Sequence, residues 1–165
     1  MMDFLQAIED TAFSTFVRTS PTYFGFSGIL LVHTIGMGVI VGVAAGIDLR
    51  ILGFAPAIRL APLEKYLPVL WFGFWMNAIT GVILMMGYAT TILVNPDFYV
   101  KMAFVALSLI NLRMLKTHVF RDPLIESEKL SSKAKFFAWM SMFLWLGVIT
   151  TGRLLAYVGQ SNSYK

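Results

Sequence analysis

Hydrophobic residues are concentrated in four long stretches of the chain, which short polar segments separate. The stretches cover residues 23–47, 66–94, 98–115 and 136–158. A helix crosses a bilayer with about 20 apolar residues at about 1.5 Å per residue, and each stretch approaches or exceeds that length. The alternation typical of strands is missing, and lipid admits only helices or closed barrels. The pattern predicts an all-α bundle of four transmembrane helices within residues 21–165.

The segment before these stretches has a different pattern. Apolar residues recur every four positions at Phe4, Ile8, Ala12 and Phe16, while charged residues fall between them. This spacing predicts an amphipathic helix over residues 1–20 that lies on the membrane surface. The start is acidic and has no uninterrupted apolar run, which argues against a signal peptide.

Composition supports a membrane protein and excludes several other classes. The 165 residues are 58% hydrophobic and 13% charged, and their mean hydropathy is +0.73. A soluble domain has about 25% charged residues, so a soluble enzyme is nearly ruled out, and disorder would need low hydrophobicity. Without cysteine there is no disulfide, thiolate metal site or iron–sulfur cluster. The net charge of +4 comes from residues between apolar spans, so no nucleic-acid partner is expected.

Basic residues are concentrated in alternate connections between the spans. The first connection has three Lys or Arg residues, the second has none before Lys101, and the third has six. Basic loops stay on the cytoplasmic side of a membrane. We therefore expect a multi-pass protein of the bacterial inner membrane, with the first and third loops in the cytoplasm and both termini in the periplasm.

A few polar residues interrupt the spans, and polar groups inside a membrane mark functional sites by default. His33 lies about 15 Å into the first span by helical rise. Asn77, Thr80 and Asn111 reach broadly similar depths in the second and third spans. The sequence therefore predicts one polar layer formed by these four residues.

His33 is the sharpest candidate for chemistry, because a neutral imidazole binds iron or copper and can relay protons. Glycines near it leave room for a flat porphyrin, which favours haem ligation. Another functional role and a purely structural role both stay open, since Gly38, Gly42 and Gly46 are spaced for close helix packing. His118 is a weaker candidate for a second iron ligand, because it lies about 15 Å deeper by helical rise.

Charged residues near the ends of the spans have two interpretations. Lys101 and Arg153 lie near the outer face, where they could bind haem propionates or a quinone, or could extend towards lipid headgroups. At the other face, Asp48 and Arg50 are expected to form ordinary ion pairs or phospholipid contacts.

The second and fourth spans share a small motif that hints at an internal repeat. Thr80-Gly81 follows Trp71 in the second span, and Thr151-Gly152 follows Trp145 in the fourth. Aromatic residues at interfaces and small residues at helix contacts also recur without duplication, so both explanations stay open.

A set of short motifs between residues 23 and 158 resembles the CopD-like superfamily of small four-helix bacterial membrane proteins. The motifs are His33, Asp48-Leu49-Arg50, Pro68, Thr80-Gly81, Phe98-Tyr99-Val100-Lys101 and Asn111. That superfamily includes copper-resistance proteins of the CopD type and the HemJ-type protoporphyrinogen oxidase, and the chain looks closest to its members of unknown function. The resemblance implies that His33 binds haem b and that Lys101 is also needed. With two histidines, the chain departs from four-helix cytochromes that hold two haems with four.

These observations predict a b-type haem protein that transfers electrons, with quinone as a candidate partner beside other membrane or periplasmic redox proteins. His33 would ligate the iron, while Asn77, Thr80 and Asn111 would form hydrogen bonds around it. Homo- or hetero-oligomers fit the same prediction. Two alternatives stay open: a non-catalytic accessory subunit of a larger membrane complex, and a copper-handling protein that uses some of the ten methionines.

Overall fold

The computed structural model describes residues 2–121 and 130–161, and side chains through residue 155. Seven α-helices form in this part of the chain. They are α1 (Met2–Glu9), α2 (Ala12–Thr19), α3 (Phe26–Ile51), α4 (Leu67–Gly87), α5 (Ala89–Ile92), α6 (Pro96–Leu115) and α7 (Ser132–Ser161). A 3₁₀ turn, Ala61–Tyr66, leads into α4, and a π-helical turn, Lys116–Phe120, extends α6.

Four of these helices form a membrane bundle, which confirms the predicted all-α architecture. The helical segments Phe26–Ile51, Ala61–Gly87, Pro96–Phe120 and Ser132–Leu155 are long and apolar enough to cross a membrane. Large apolar side chains cover their outer faces, and Phe72 and Phe143 are 68% and 63% exposed. Surface of this kind is unfavourable in water and suits a bilayer. Lipid is therefore the solvent for most of the molecule.

The core of the bundle lies along α3 and α7. Apolar residues spaced three and four apart, Ile40, Ala44, Ile47 and Ile51, form the buried face of α3. Helix α3 packs against α4 and α7, and α7 also packs against α6. Among the described residues, α4 and α6 share no extended contact. The bundle is therefore open between α4 and α6.

One glycine pair lets α3 and α4 approach closely. A Cβ atom at Gly36 would lie 3.0 Å from the backbone nitrogen of Asn77 and 3.0 Å from the carbonyl oxygen of Gly73. By contrast, a Cβ atom at Gly38, Gly42 or Gly46 would meet nothing within 4 Å in the described part of the chain. The packing role considered for the Gly38, Gly42 and Gly46 series is thus wrong within this chain, because that face of α3 points away from α4 and α7.

The helix ends differ from the ends of the apolar stretches. Helix α3 continues past residue 47 through Asp48 and Arg50, because charged residues at the end of a span do not stop a helix. Helix α4 ends at Gly87, although the apolar stretch continues to residue 94. The short helix α5 follows within the same stretch, at Ala89–Ile92. Helix α6 begins at Pro96, and the Asn95 side chain caps it by accepting a hydrogen bond from the Asp97 backbone N–H (2.9 Å).

The N-terminal segment is helical, as predicted, but it forms two helices rather than one. The break falls at Thr11, whose hydroxyl oxygen accepts from the Ser14 backbone N–H and caps α2. Leu5 and Val17 are buried against the ends of the spans, while Phe4 is 69% exposed. Glu9 fixes the segment, because its carboxylate contacts Arg18 (2.7 Å) and accepts from the Thr90 hydroxyl (2.6 Å).

Candidate functional site

His33 forms the centre of the candidate site through a hydrogen bond between α3 and α4. Its Nδ1 atom lies 3.0 Å from the Thr80 hydroxyl oxygen. The Thr80 hydroxyl also lies 2.7 Å from the Met76 carbonyl oxygen and 3.1 Å from the Asn77 carbonyl oxygen of its own helix. When the hydroxyl proton is in one of these two bonds, its oxygen accepts from His33 and the ring proton is on Nδ1. Nε2 then carries the lone pair of the imidazole.

The ring is fixed in place by further contacts with α4. The Asn77 side-chain amide donates to the backbone carbonyl oxygen of His33 (2.7 Å), which ties the two helices together at this level. Gly81 lies against the edge of the ring, and a Cβ atom there would be 3.1 Å from His33 Cε1. Among the described residues, Nε2 makes no hydrogen bond, so its lone pair is available to a ligand.

Lys101 brings a positive charge to the same site from the other helix pair. Lys101 lies five residues after the start of α6, and His33 lies seven residues after the start of α3. Each residue is therefore within about two turns of the beginning of its helix. The ammonium group is close enough to interact electrostatically with the His33 ring. Its Nζ atom also lies against α7, because a Cβ atom at Gly152 would be 3.7 Å away. The site therefore combines an imidazole and an ammonium group at the open side of the bundle.

Asn111 does not belong to this polar group, which corrects the prediction of a four-residue layer. It lies 15 residues after the start of α6, about 22 Å along the helix, whereas His33 lies about 10 Å along α3. Its buried side chain donates to the Phe137 carbonyl oxygen (3.1 Å) and joins α6 to α7. Spans counted from hydropathy alone misplaced the helix starts, and this error produced the predicted layer.

The remaining candidates are not brought to His33 by the described contacts. His118 is exposed in the π-helical turn at the far end of α6, where its Nδ1 atom contacts the Met114 carbonyl oxygen (2.9 Å). Its ring packs against Phe137, with centroids 5.5 Å apart. Arg153 is exposed on α7, one residue after Gly152. Both remain outside the group formed by His33, Asn77, Thr80 and Lys101.

Asp48 is a buried carboxyl group that sequence reasoning placed wrongly in a surface ion pair. It is 1% exposed, and its Oδ2 atom has no hydrogen-bond partner in the described part of the chain. Arg50 donates instead to the Ile58 and Pro56 carbonyl oxygens of the following loop. A signal was available, since Asp48 follows Ala44 by one helical turn on the core face of α3.

The side chains alone do not form a complete metal site. Among the described residues, no three His, Asp or Glu side chains come together. An iron ion at His33 would therefore need most of its donors from another source, and a porphyrin supplies four nitrogens in one plane.

Comparison with known proteins leaves the resemblance to CopD-like proteins as a prediction. No protein-family model, curated protein or solved structure matches the chain significantly. Function must therefore be argued from the group around His33.

Proposed function

We propose that the chain is a b-type haem protein that transfers electrons, in which His33 Nε2 would bind the haem iron. The observation that carries this proposal is the hydrogen bond between His33 Nδ1 and the Thr80 hydroxyl. An imidazole that binds haem iron through Nε2 must have that nitrogen unprotonated. A hydrogen-bond partner on Nδ1–H fixes this tautomer and the ring orientation. Bound haem would supply an iron centre that gains and loses one electron.

The chain's own residues account for how such a group would be held. Thr80 and Asn77 fix the position of His33 on α3. Gly81 has no side chain, so α4 can lie directly against the edge of the imidazole ring. Helices α4 and α6 share no extended contact among the described residues, and we assign the macrocycle to the space between them.

Lys101 and Arg153 are the residues that we assign to the carboxylates of the haem. An ammonium or guanidinium group forms charge-assisted hydrogen bonds with a carboxylate. Lys101 is within electrostatic range of His33, so its positive charge acts on the proposed iron ligand. Arg153 lies outside the group around His33, but it is exposed and directly follows Gly152, against which the Lys101 side chain lies, so we assign it as the second cation.

The distribution of basic residues supports an orientation in the bacterial inner membrane. Arg50, Arg59 and Lys65 lie in the connection between α3 and α4, and the connection between α6 and α7 is also basic. With these loops in the cytoplasm, the His33 end of the bundle faces the periplasm. Electron partners would then be a membrane quinone and other membrane or periplasmic redox proteins.

An absorption spectrum of the purified full chain, produced with ample haem, tests the proposal. We expect a Soret band that shifts on reduction in the wild type and in His118→Ala, and its loss in His33→Ala. Circular dichroism of each variant establishes that the helices remain folded. A wild-type protein without the band, or a His33→Ala variant with an unchanged band, would overturn the haem assignment and favour a non-catalytic accessory subunit.

A further inference from the structure

The unpartnered carboxyl oxygen of Asp48 lies in a second polar position, remote from the candidate haem site. Asp48 follows His33 by 15 residues on α3, which is about 22 Å of helix. The Ser141 hydroxyl of α7 lies beside the carboxyl group. Oδ2 is nevertheless buried without a hydrogen bond. A buried polar atom of this kind is costly, and a missing ligand is one of the standard explanations.

Asp48 lines a cavity of about 410 Å³ between α3 and α7. This volume falls in the range of sites that bind small molecules. Apart from Asp48, the walls are apolar, and they include the aromatic side chains of Trp139, Phe143 and Trp145. Trp139 and Phe143 are each 63% exposed on the lipid-facing surface. The cavity is therefore reached from the bilayer and suits a lipid-soluble molecule.

The number of unsatisfied atoms narrows the chemistry of the ligand. When the carboxyl group is ionised, one oxygen acceptor lacks a donor, and a hydroxyl group has one proton to donate. An ammonium group has three, and the apolar walls would leave the others unpaired. A metal ion would need several oxygen ligands, which the described residues around this cavity lack. Aromatic walls favour a flat ring on the ligand.

We propose that this cavity binds the ring of a lipid-soluble hydroquinone, whose hydroxyl donates to Asp48 Oδ2. The corresponding quinone has no hydroxyl proton and leaves the oxygen of the ionised carboxyl group unpaired. Binding of the reduced ring does not require haem, and only its use as an electron partner rests on the proposed function.

Calorimetric titration of the haem-free full chain in detergent tests the site with three matched ligands. They are a short-tailed hydroquinone, its quinone, and its dimethyl ether, which keeps the ring but has no donor. At a pH at which Asp48 is ionised, we expect the hydroquinone to bind about tenfold more tightly than the other two, since a hydrogen bond to a charged group is worth about 1.5 kcal/mol or more. In Asp48→Asn this preference should fall below about threefold.

Two variants separate loss of the site from loss of the fold. Ala45 lines the cavity, so Ala45→Phe should fill it and weaken all three ligands while Asp48 stays intact. Asp10→Asn makes the same chemical change at an exposed position and should bind like the wild type. Equal binding of hydroquinone and dimethyl ether, or tighter binding of an amine with the same tail, would overturn the assignment.

The haem test and the hydroquinone test can fail independently. Loss of hydroquinone binding in a protein with a normal Soret band contradicts the Asp48 site alone. A protein without the band that still selects the hydroquinone contradicts the haem proposal alone. His33→Ala should keep the hydroquinone preference, because the two residues lie about 22 Å apart along α3.

Discussion

Alanine in place of Gly81, which lies against the His33 ring, should weaken haem binding. Alanine in place of Gly152, which lies against the Lys101 side chain, should not. Gly81→Ala places a Cβ atom 3.1 Å from His33 Cε1 and 3.6 Å from Nδ1. Gly152→Ala places one 3.7 Å from both Cε and Nζ of Lys101. Ordinary van der Waals contacts begin at 3.4 Å, so only the first substitution forces a neighbour to move.

The geometry around the imidazole sets the size of the effect. To relieve the contact, the ring must shift by a few tenths of an ångström, while Thr80 holds Nδ1 at 3.0 Å. Overpacking of this kind costs about 1–3 kcal/mol in a closely packed site. The haem-free protein relieves the contact by shifting the ring, and iron ligation would oppose that shift. Since about 1.4 kcal/mol is a factor of ten, haem affinity should fall by as much as about 5- to 150-fold in Gly81→Ala. Lys101 is flexible and already at contact distance, so Gly152→Ala should change affinity by less than about threefold.

Haem titration of the two purified variants, followed by the Soret band, measures the difference. Thermal unfolding of the haem-free proteins shows whether either methyl group disturbs the bundle itself. If Gly81→Ala binds haem with wild-type affinity, the imidazole does not carry the iron. If Gly152→Ala is the more damaging variant, the principal ligand belongs to the Lys101 side of the site.

Three further substitutions test contacts that hold the site and the bundle. Gly36→Ala should lower the thermal midpoint by several degrees, because its methyl group lies 3.0 Å from backbone atoms of α4, whereas Gly42→Ala should not; equal midpoints would contradict the close approach. Asn77→Leu should cost about 0.6–1.7 kcal/mol and alter the haem spectrum, while Asn111→Leu should affect stability alone; matching spectral changes would contradict their separation. Glu9→Ala should increase hydrogen exchange in α1 and α2, and unchanged exchange would show that the carboxylate does not anchor them.

The spans and the pairing of His33 with Thr80 were predictable because hydropathy and helical rise depend only on local sequence. His33 and Thr80 lie in adjacent helices that run in opposite directions, so similar depths bring them together. Asn111 was misplaced because α3 begins three residues later than its apolar stretch, at Phe26, and α6 begins two residues earlier than its own, at Pro96. The two shifts increase the difference in depth between His33 and Asn111. Asp48 was misplaced because its burial depends on how α3 is rotated towards α7, and hydropathy does not specify that rotation.

The two Thr-Gly motifs have similar surroundings in the helix pairs α3–α4 and α6–α7. This similarity is what an internal repeat would produce. Thr80 donates to a carbonyl oxygen one turn earlier in α4, and Thr151 does the same in α7, each at 2.7 Å.

Each following glycine then lies against the polar side chain of the preceding span, His33 in one pair and Lys101 in the other. The helix order α4, α3, α7, α6 brings the pairs together through α3 and α7 and leaves the outer helices apart. The two hairpins have a similar geometry and differ in the polar residue that each presents. They therefore account for a site that has an imidazole on one side and a positive charge on the other. On this reasoning, exchange of His33 and Lys101 should keep the bundle folded and move the proposed iron ligand to α6, where Gly152 rather than Gly81 would limit its position.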